Sequence, residues 1–231
     1  LGYHTFEDAF RIIDSMVNAG VDLMELQIPF SEPIADGPII LHANQKALAG
    51  GATVQKCMDF ARKVVKSFDI PFLFMSYYNI LFKYGVDRFA GAMHDSGIVG
   101  AIVPDLPPEE GGDYLDAMEK YQLSPIFIFS PTTPEERMTY LNSFGKGFIY
   151  CVARKGVTGV ATDFSKQLKE YLLRCRRATD LPLALGFGVK EREDVDFLKG
   201  KADIAVIGSE TIRLVDTAGV GAVGEFINSL R

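Results

Sequence analysis

What most constrains this chain is a repeat of hydropathy rather than of sequence. Short apolar runs without alternation are each followed by a loop and then by a stretch of helical periodicity. The runs occupy residues 21–28, 71–77, 98–104, 124–129, 147–153, 183–187 and 204–208. A strand that faces water alternates polar and apolar side chains, whereas an unbroken apolar strand is buried on both faces, as in a parallel sheet covered by helices. Helical patterns fall at residues 40–48, 53–67, 87–95, 108–121, 133–142, 163–178, 190–198 and 218–230, and one more, 5–19, precedes the first run. In that leading stretch Phe6, Phe10, Ile13 and Val17 recur at helical spacing, Thr5 is placed to cap with Asp8, and Gly20 stops it. Thr133-Pro134-Glu135-Glu136 reads as a helix start, with Thr133 as cap, proline at the first position and early acids. Strict strand–helix alternation implies a parallel α/β sheet with right-handed crossovers.

Such sheets are open or closed, and periodicity does not separate the two. An open doubly wound sheet usually places a glycine-rich turn after its first strand, but Gly186-Phe187-Gly188 lies near the other end. Seven alternating units behind a leading helix favour a (β/α)8 TIM barrel, and 231 residues suit one such domain spanning 1–231. No linker of biased composition divides it. The balance of 24 basic and 30 acidic residues gives a net charge of −6 with no basic run, so nucleic-acid and anionic-membrane surfaces are disfavoured. No apolar stretch reaches the roughly 18 residues of a membrane span. Cys57, Cys151 and Cys175 form no C-x-x-C pair, and an odd number suits a reducing cytoplasm better than a disulfide framework.

In a barrel of this kind the chemistry sits at strand C-terminal ends and in the loops that follow. Glu25 is the strongest local oddity, because a carboxylate in an apolar strand costs several kcal/mol unless it is paired, hydrogen-bonded or protonated. It reads either as a glutamate bonded to a neighbouring backbone group or tyrosine, or as a proton-exchanging carboxyl of raised pKa. Asp36, in Ile34-Ala35-Asp36-Gly37-Pro38, taken alone reads as a turn or cap aspartate. Three glycine turns follow the last three runs: Gly156-Val157-Thr158-Gly159, Gly186-Phe187-Gly188 and Gly208-Ser209. Glycines let backbone N–H groups approach an anion, and a short helix at 209–214 would point its positive end the same way, so the turns read as a phosphate site or as plain helix stops. Gly186-x-Gly188 is no dinucleotide fingerprint, since Glu191 stands at the third glycine position. His4, His42 and His94 are scattered and give no metal-ligand spacing. Nucleophile-elbow and Walker spacings are absent, and no lysine lies inside a strand-like run to form a Schiff base.

Residues 25–38, E-L-Q-I-P-F-S-E-P-I-A-D-G-P, resemble the E-L-G-x-P-F-S-D-P-x-A-D-G-P signature of the tryptophan synthase alpha chain family. The resemblance continues, in order, in Tyr77-Tyr78-Asn79, Val103-Pro104-Asp105-Leu106-Pro107, Gly156-Val157-Thr158-Gly159, Leu185-Gly186-Phe187-Gly188 and Ile207-Gly208-Ser209. It implies a lyase that cleaves indole-3-glycerol phosphate to indole and glyceraldehyde 3-phosphate without metal or organic cofactor. Glu25 and Asp36 would be the catalytic acids. Gly159, Gly188, Gly208 and Ser209 would hold the phosphate, and Met75, Ile102, Ile128, Tyr150 and Phe187 would line the indole slot, positions that otherwise read as barrel core. Thr158 would belong to a closing loop able to orient the Asp36 loop, and Tyr77 would bond a catalytic carboxyl. The implied partner is the pyridoxal-phosphate-dependent beta chain in an αββα heterotetramer, which an exposed apolar patch near the Asp36 and 104–108 loops would support.

Two positions depart from the signature. Gln27 replaces glycine, and strand alternation turns it to the side of Glu25, where its amide would crowd or hydrogen-bond that acid. Glu32 replaces aspartate in a loop that the resemblance turns toward the partner. The phosphate turns alone would also suit another phosphosugar barrel, an isomerase or epimerase, and Gln27 raises the alternative of a catalytically silent allosteric subunit. Leu1-Gly2-Tyr3-His4 matches the segment just after the family's first strand, so a barrel lacking that strand in this chain is the expectation.

Overall fold

The computed structural model describes residues 1–153, 161–186 and 188–231, with backbone alone over 161–165. Contacts divide the chain into two compact units, Leu1–Pro125 with Thr211–Ser229 and Arg231, and Ile126–Glu210 with Leu230. The first unit runs through α1 (Phe6–Asn18), β1 (Met24–Gln27), α2 (Pro38–Ala49), α3 (Val54–Ser67), β2 (Phe72–Met75), α4 (Tyr78–Tyr84), α5 (Val86–Ser96), β3 (Gly100–Ile102) and α6 (Gly112–Lys120). The unit boundary falls inside β4 (Ser124–Phe129). The second holds α7 (Glu135–Asn142), β5 (Ile149–Val152), α8 (Ala161–Ala178), β6 (Leu183–Gly186), α9 (Arg192–Leu198) and β7 (Ile204–Ala205). Helix α10 (Ser209–Ala218) starts in the second unit and ends in the first, followed by α11 (Gly221–Ser229).

In the first unit β1, β2 and β3 are parallel, with Glu25 opposite Leu73, Gln27 opposite Met75, Leu73 opposite Gly100 and Met75 opposite Ile102. Paired residues in register share a face, so Glu25, Gln27, Met75 and Ile102 line one side of this sheet. Gly100 is fixed by close approach: a Cβ there would lie 2.4 Å from the Ser124 carbonyl oxygen. Phe72, Phe74, Phe89, Met58 and Met93 are fully buried in the core, and α3 packs on α5 and α5 on α6. Helix α1 packs on α11, where a Cβ at Gly224 would come within 2.7 Å of Ser15 Oγ.

In the second unit β4 through β7 run parallel in chain order, with Ile128 opposite Tyr150, Tyr150 opposite Ala184, and Ala184 opposite Ile204. Helix α7 packs on α8, and the Arg177 guanidinium grips Glu135 through Nε at 3.0 Å and Nη2 at 2.8 Å.

Each apolar run of the sequence carries a strand, and the corrections are local. Strand β2 is buried on both faces, as expected, but β1 alternates: Met24 and Leu26 are buried, while Glu25 and Gln27 keep part of their surface open. Helix α4 was not foreseen, because its seven residues bury only Leu81 and are stopped by Gly85 at φ +94°. Thr133 does not cap α7; its hydroxyl accepts instead from the Ser130 N–H at 3.0 Å, and the helix begins after Pro134. The helix expected over 108–121 starts only at Gly112, the preceding prolines being held in turns by the Glu110 and Gly111 N–H groups. Gly219, at φ +84°, separates α10 from α11, so the short helix expected at 209–214 continues to Ala218 and the last pattern begins later. Thr5 does cap α1, accepting from the Asp8 N–H at 3.0 Å. Among the described residues no helix is long and apolar enough to cross a membrane.

Candidate active site

The two acids singled out in the sequence are both in the first unit. Glu25 projects from β1. Asp36 lies in the loop that enters α2, where Gly37 is the extended N-cap, Pro38 opens the helix, and the Asp36 N–H donates to the Pro33 carbonyl at 2.9 Å. The carboxylate of Asp36 is tied from two directions. Tyr77 donates its hydroxyl proton to Oδ2 at 2.8 Å, and the Gln27 amide donates to the same oxygen at 2.6 Å. The Tyr77 oxygen in turn accepts from the Ala35 N–H at 3.1 Å. Tyr77 is fully buried and stacks on Phe30 with centroids 5.1 Å apart, while the Phe30 N–H donates to Asn44 on α2. Strand end, loop and helix are thereby fastened around one carboxylate.

Two donors on one oxygen stabilise the charged form of Asp36 and oppose the upward push of burial, which still holds its pKa above the ordinary value. Among the described residues Glu25 has no such donors to offset its surroundings. Burial first, and then the charge of Asp36, push its carboxyl from 4.5 up to about 7. One carboxyl poised to gain or lose a proton at neutral pH thus faces a second that is fixed in direction. That pairing is suited to moving a proton while stabilising a neighbouring positive charge.

The structure brings Met75 and Ile102 to the Glu25 face of the first unit. It puts Ile128 and Tyr150 side by side on one face of the second. Tyr150 lies across the end of β6, where a Cβ on Gly186 would come within 2.7 Å of its hydroxyl, so a side chain there would have to displace the Tyr150 ring. Gly188 (φ +85°) and Gly208 are exposed, and among the described residues, chain neighbours aside, no atom lies within 4 Å of where a Cβ on either would sit. Ser209 is the first residue of α10, whose leading N–H groups lack helical partners and so suit an anion. Thr158, Gly159 and Phe187 lie outside the described residues. Among the described residues no cluster of three or more His, Cys, Asp or Glu is placed to hold a metal ion.

Sequence reading gave Gln27 the wrong partner and missed the roles of Asn44, Phe30 and Asp105. Gln27 was expected to meet Glu25, but its amide donates to Asp36, which the loop carries back over the strand end. Asn44 and Phe30, which support the loop and Tyr77, carried no signal beyond a polar residue on the buried side of α2. Asp105 accepts from the Tyr78 N–H at 2.9 Å and so holds the first turn of α4.

A family model described as tryptophan synthase alpha chain matches residues 1–225. The tryptophan synthase alpha chain of Syntrophotalea carbinolica is 64% identical over 231 residues, which cover 100% of this chain and 91% of that protein. That of Desulforapulum autotrophicum is 65% identical over 230 residues, with coverage of 100% and 91%. Among solved structures, tryptophan synthase from M. tuberculosis in its aminoacrylate-bound form superposes with a TM-score of 0.90 at 28% identity, covering 99% of this chain and 88% of that one. Tryptophan synthase subunit alpha from Legionella pneumophila str. Paris gives 0.90 at 31%, with 99% and 87% covered. The fold class is theirs, the (β/α)8 barrel, with seven parallel strands among the described residues of this chain, as expected of one lacking its first strand. With a family model and close relatives matching almost its whole length, this chain is a lyase that belongs to the tryptophan synthase alpha chain family.

Proposed function

We propose that this chain cleaves indole-3-glycerol phosphate to indole and glyceraldehyde 3-phosphate by a reverse aldol reaction, as the alpha subunit of tryptophan synthase. The observation that carries this reading is the Glu25 carboxyl at about 7 beside an Asp36 held by Tyr77 and Gln27. Glu25, protonated, gives its proton to indole C3, which leaves positive charge on the ring nitrogen. Asp36 accepts the ring N–H and stabilises that charge as it develops. The Glu25 carboxylate then takes the proton from the adjacent glycerol hydroxyl. The carbon–carbon bond breaks, its electron pair returns to the ring, and an aldehyde is left. One carboxyl serves both proton transfers, so it has to titrate near the working pH.

Met75, Ile102, Ile128, Tyr150 and Phe187 are assigned to the indole slot, and Gly159, Gly188, Gly208 and Ser209 to the phosphate. Thr158 is assigned to a loop that closes over the substrate. The exposure of Gly188 and Gly208, with no other described residue, chain neighbours aside, within 4 Å of a Cβ at either, supports the phosphate assignment. These steps need no metal or organic cofactor. The proposed partner is the beta chain, in an αββα assembly. Ile34, 80% exposed two residues before Asp36, and Phe82, 71% exposed on α4, support an apolar contact face. The three cysteines, free and buried, support a cytoplasmic setting. The test is indole release from indole-3-glycerol phosphate with and without the beta chain. Release that rises when the beta chain is added supports the reading; no indole under either condition favours a different phosphosugar reaction.

A further inference from the structure

We propose that Gln27 is a positioning residue for this reaction, its amide holding Asp36 in the orientation in which that carboxylate meets the positive charge developing on the substrate. The inference rests on the proposed function for what Asp36 does, and on the structure for how it is held. Glu25 and Gln27 lie two residues apart on the same face of β1, and the Asp36 loop returns to that strand end. At 2.6 Å the amide is closer to Oδ2 than the Tyr77 hydroxyl is. A single donor would leave the carboxylate free to turn about its bond to that donor. Two donors converging on Oδ2 from β1 and from the end of β2 fix its plane, and with it the direction of Oδ1. Glycine, which the related signature carries at this position, has no side chain to donate. In this chain the second tether is therefore built into the strand that also carries the proton-exchanging acid.

A group aimed in advance acts mainly where charge develops, so its loss lowers kcat more than it raises KM. An amide donor also favours the charged carboxylate, so its removal moves Asp36 toward protonation at higher pH. The titratable groups facing Asp36 among the described residues are Glu25 on β1 and Tyr77 after β2, with Asp105 beyond Tyr77.

The experiment compares the full chain with Q27M, which keeps the length of the side chain and removes the donor, in the presence of the beta chain. The expected result is a fall of about tenfold in kcat for indole release with KM within about twofold, the size of one hydrogen bond to a charged group. The acid limb of the rate profile moves to higher pH. Carbon-13 NMR of the free protein then shows the Asp36 carboxyl titrating higher in Q27M than in the wild type. Unchanged kcat, or an unshifted Asp36 titration, overturns the proposal. Should Q27M fail to fold, Q27E keeps the shape and turns an acceptor toward Asp36; it is expected to lose at least as much, and wild-type kcat in it overturns the proposal. A wild-type chain that releases no indole overturns the proposed function instead, and the Asp36 titration still decides whether Gln27 holds that carboxylate.

Discussion

The acid cluster of the first unit and the glycine turns of the second are built in opposite ways. Around Asp36 the structure is crowded with partners: Tyr77 and Gln27 on one oxygen, the Ala35 N–H on Tyr77, Phe30 stacked behind, Asn44 holding Phe30. Where side chains would project from Gly188 and Gly208, no atom of the other described residues, chain neighbours aside, lies within 4 Å. A group that must keep its direction while charge develops gains from contacts fixed before substrate arrives. A turn that must admit a bulky anion to backbone N–H groups gains from having no side chain at all. Substitutions in the first region should therefore act on turnover, and in the second on binding.

The largest effect is expected at Glu25. Glu25→Gln keeps the shape and removes the exchangeable proton, so indole release should fall by at least about a hundredfold; turnover above about a hundredth of wild type would remove Glu25 from the acid–base role. The same variant should gain stability. In the folded chain the Glu25 carboxyl sits at about 7 against 4.5 for an unperturbed group. The folded state thus binds the extra proton between these values, and the stability this contributes is present below 4.5 and lost as pH rises through about 7. Denaturant unfolding at pH 8 should find Glu25→Gln more stable by up to about 3 kcal/mol, and the difference should vanish toward pH 4. Equal stability at both pH values would mean that Glu25 is not held protonated.

Next in size is Tyr77→Phe, which removes one of the two donors on Asp36 and leaves the Ala35 N–H unpaired. A fall of about tenfold in kcat and a loss of about 1–2 kcal/mol in stability are expected; a change in KM alone would place Tyr77 in binding rather than in positioning. The smallest effect on the fold belongs to Gly208→Ala. Among the described residues, chain neighbours aside, no atom lies within 4 Å of the added methyl, and the backbone is not in the left-handed region. The melting temperature should stay within about 1 °C while KM rises several-fold with kcat retained, since a binding contact shared by ground and transition states is what is lost. A drop in melting temperature without a change in KM would return Gly208 to the role of a simple helix stop.

Much of this contrast was legible in the sequence, and the reasons are physical. A carboxylate in an apolar run is conspicuous because burial without partners is costly, so Glu25 stood out unaided. The glycine turns stood out because each follows a run at the same end. Asp36 did not, since aspartate before Gly-Pro is ordinary turn chemistry, and only the resemblance over residues 25–38 joined it to Glu25. Period-two reasoning put Gln27 on the Glu25 side of β1 correctly, yet gave it the wrong partner, because periodicity is local and the Asp36 contact is made by a returning loop. Helix α4 escaped for a related reason: seven residues with one buried side chain leave no periodic stripe to read. Thr133 misled because a hydroxyl before Pro-Glu-Glu is an N-cap pattern, while in the folded chain it closes the Ser130 turn.

Glu25 is a carboxyl held near neutrality by burial and by the charge of Asp36. Carbon-13 NMR titration of the Glu25 side chain in the wild-type chain tests it most directly, with Asp36→Asn as the second sample. The account predicts a midpoint near 7 in the wild type that moves down when the Asp36 charge is removed. A midpoint near 4.5, unmoved by Asp36→Asn, would contradict it.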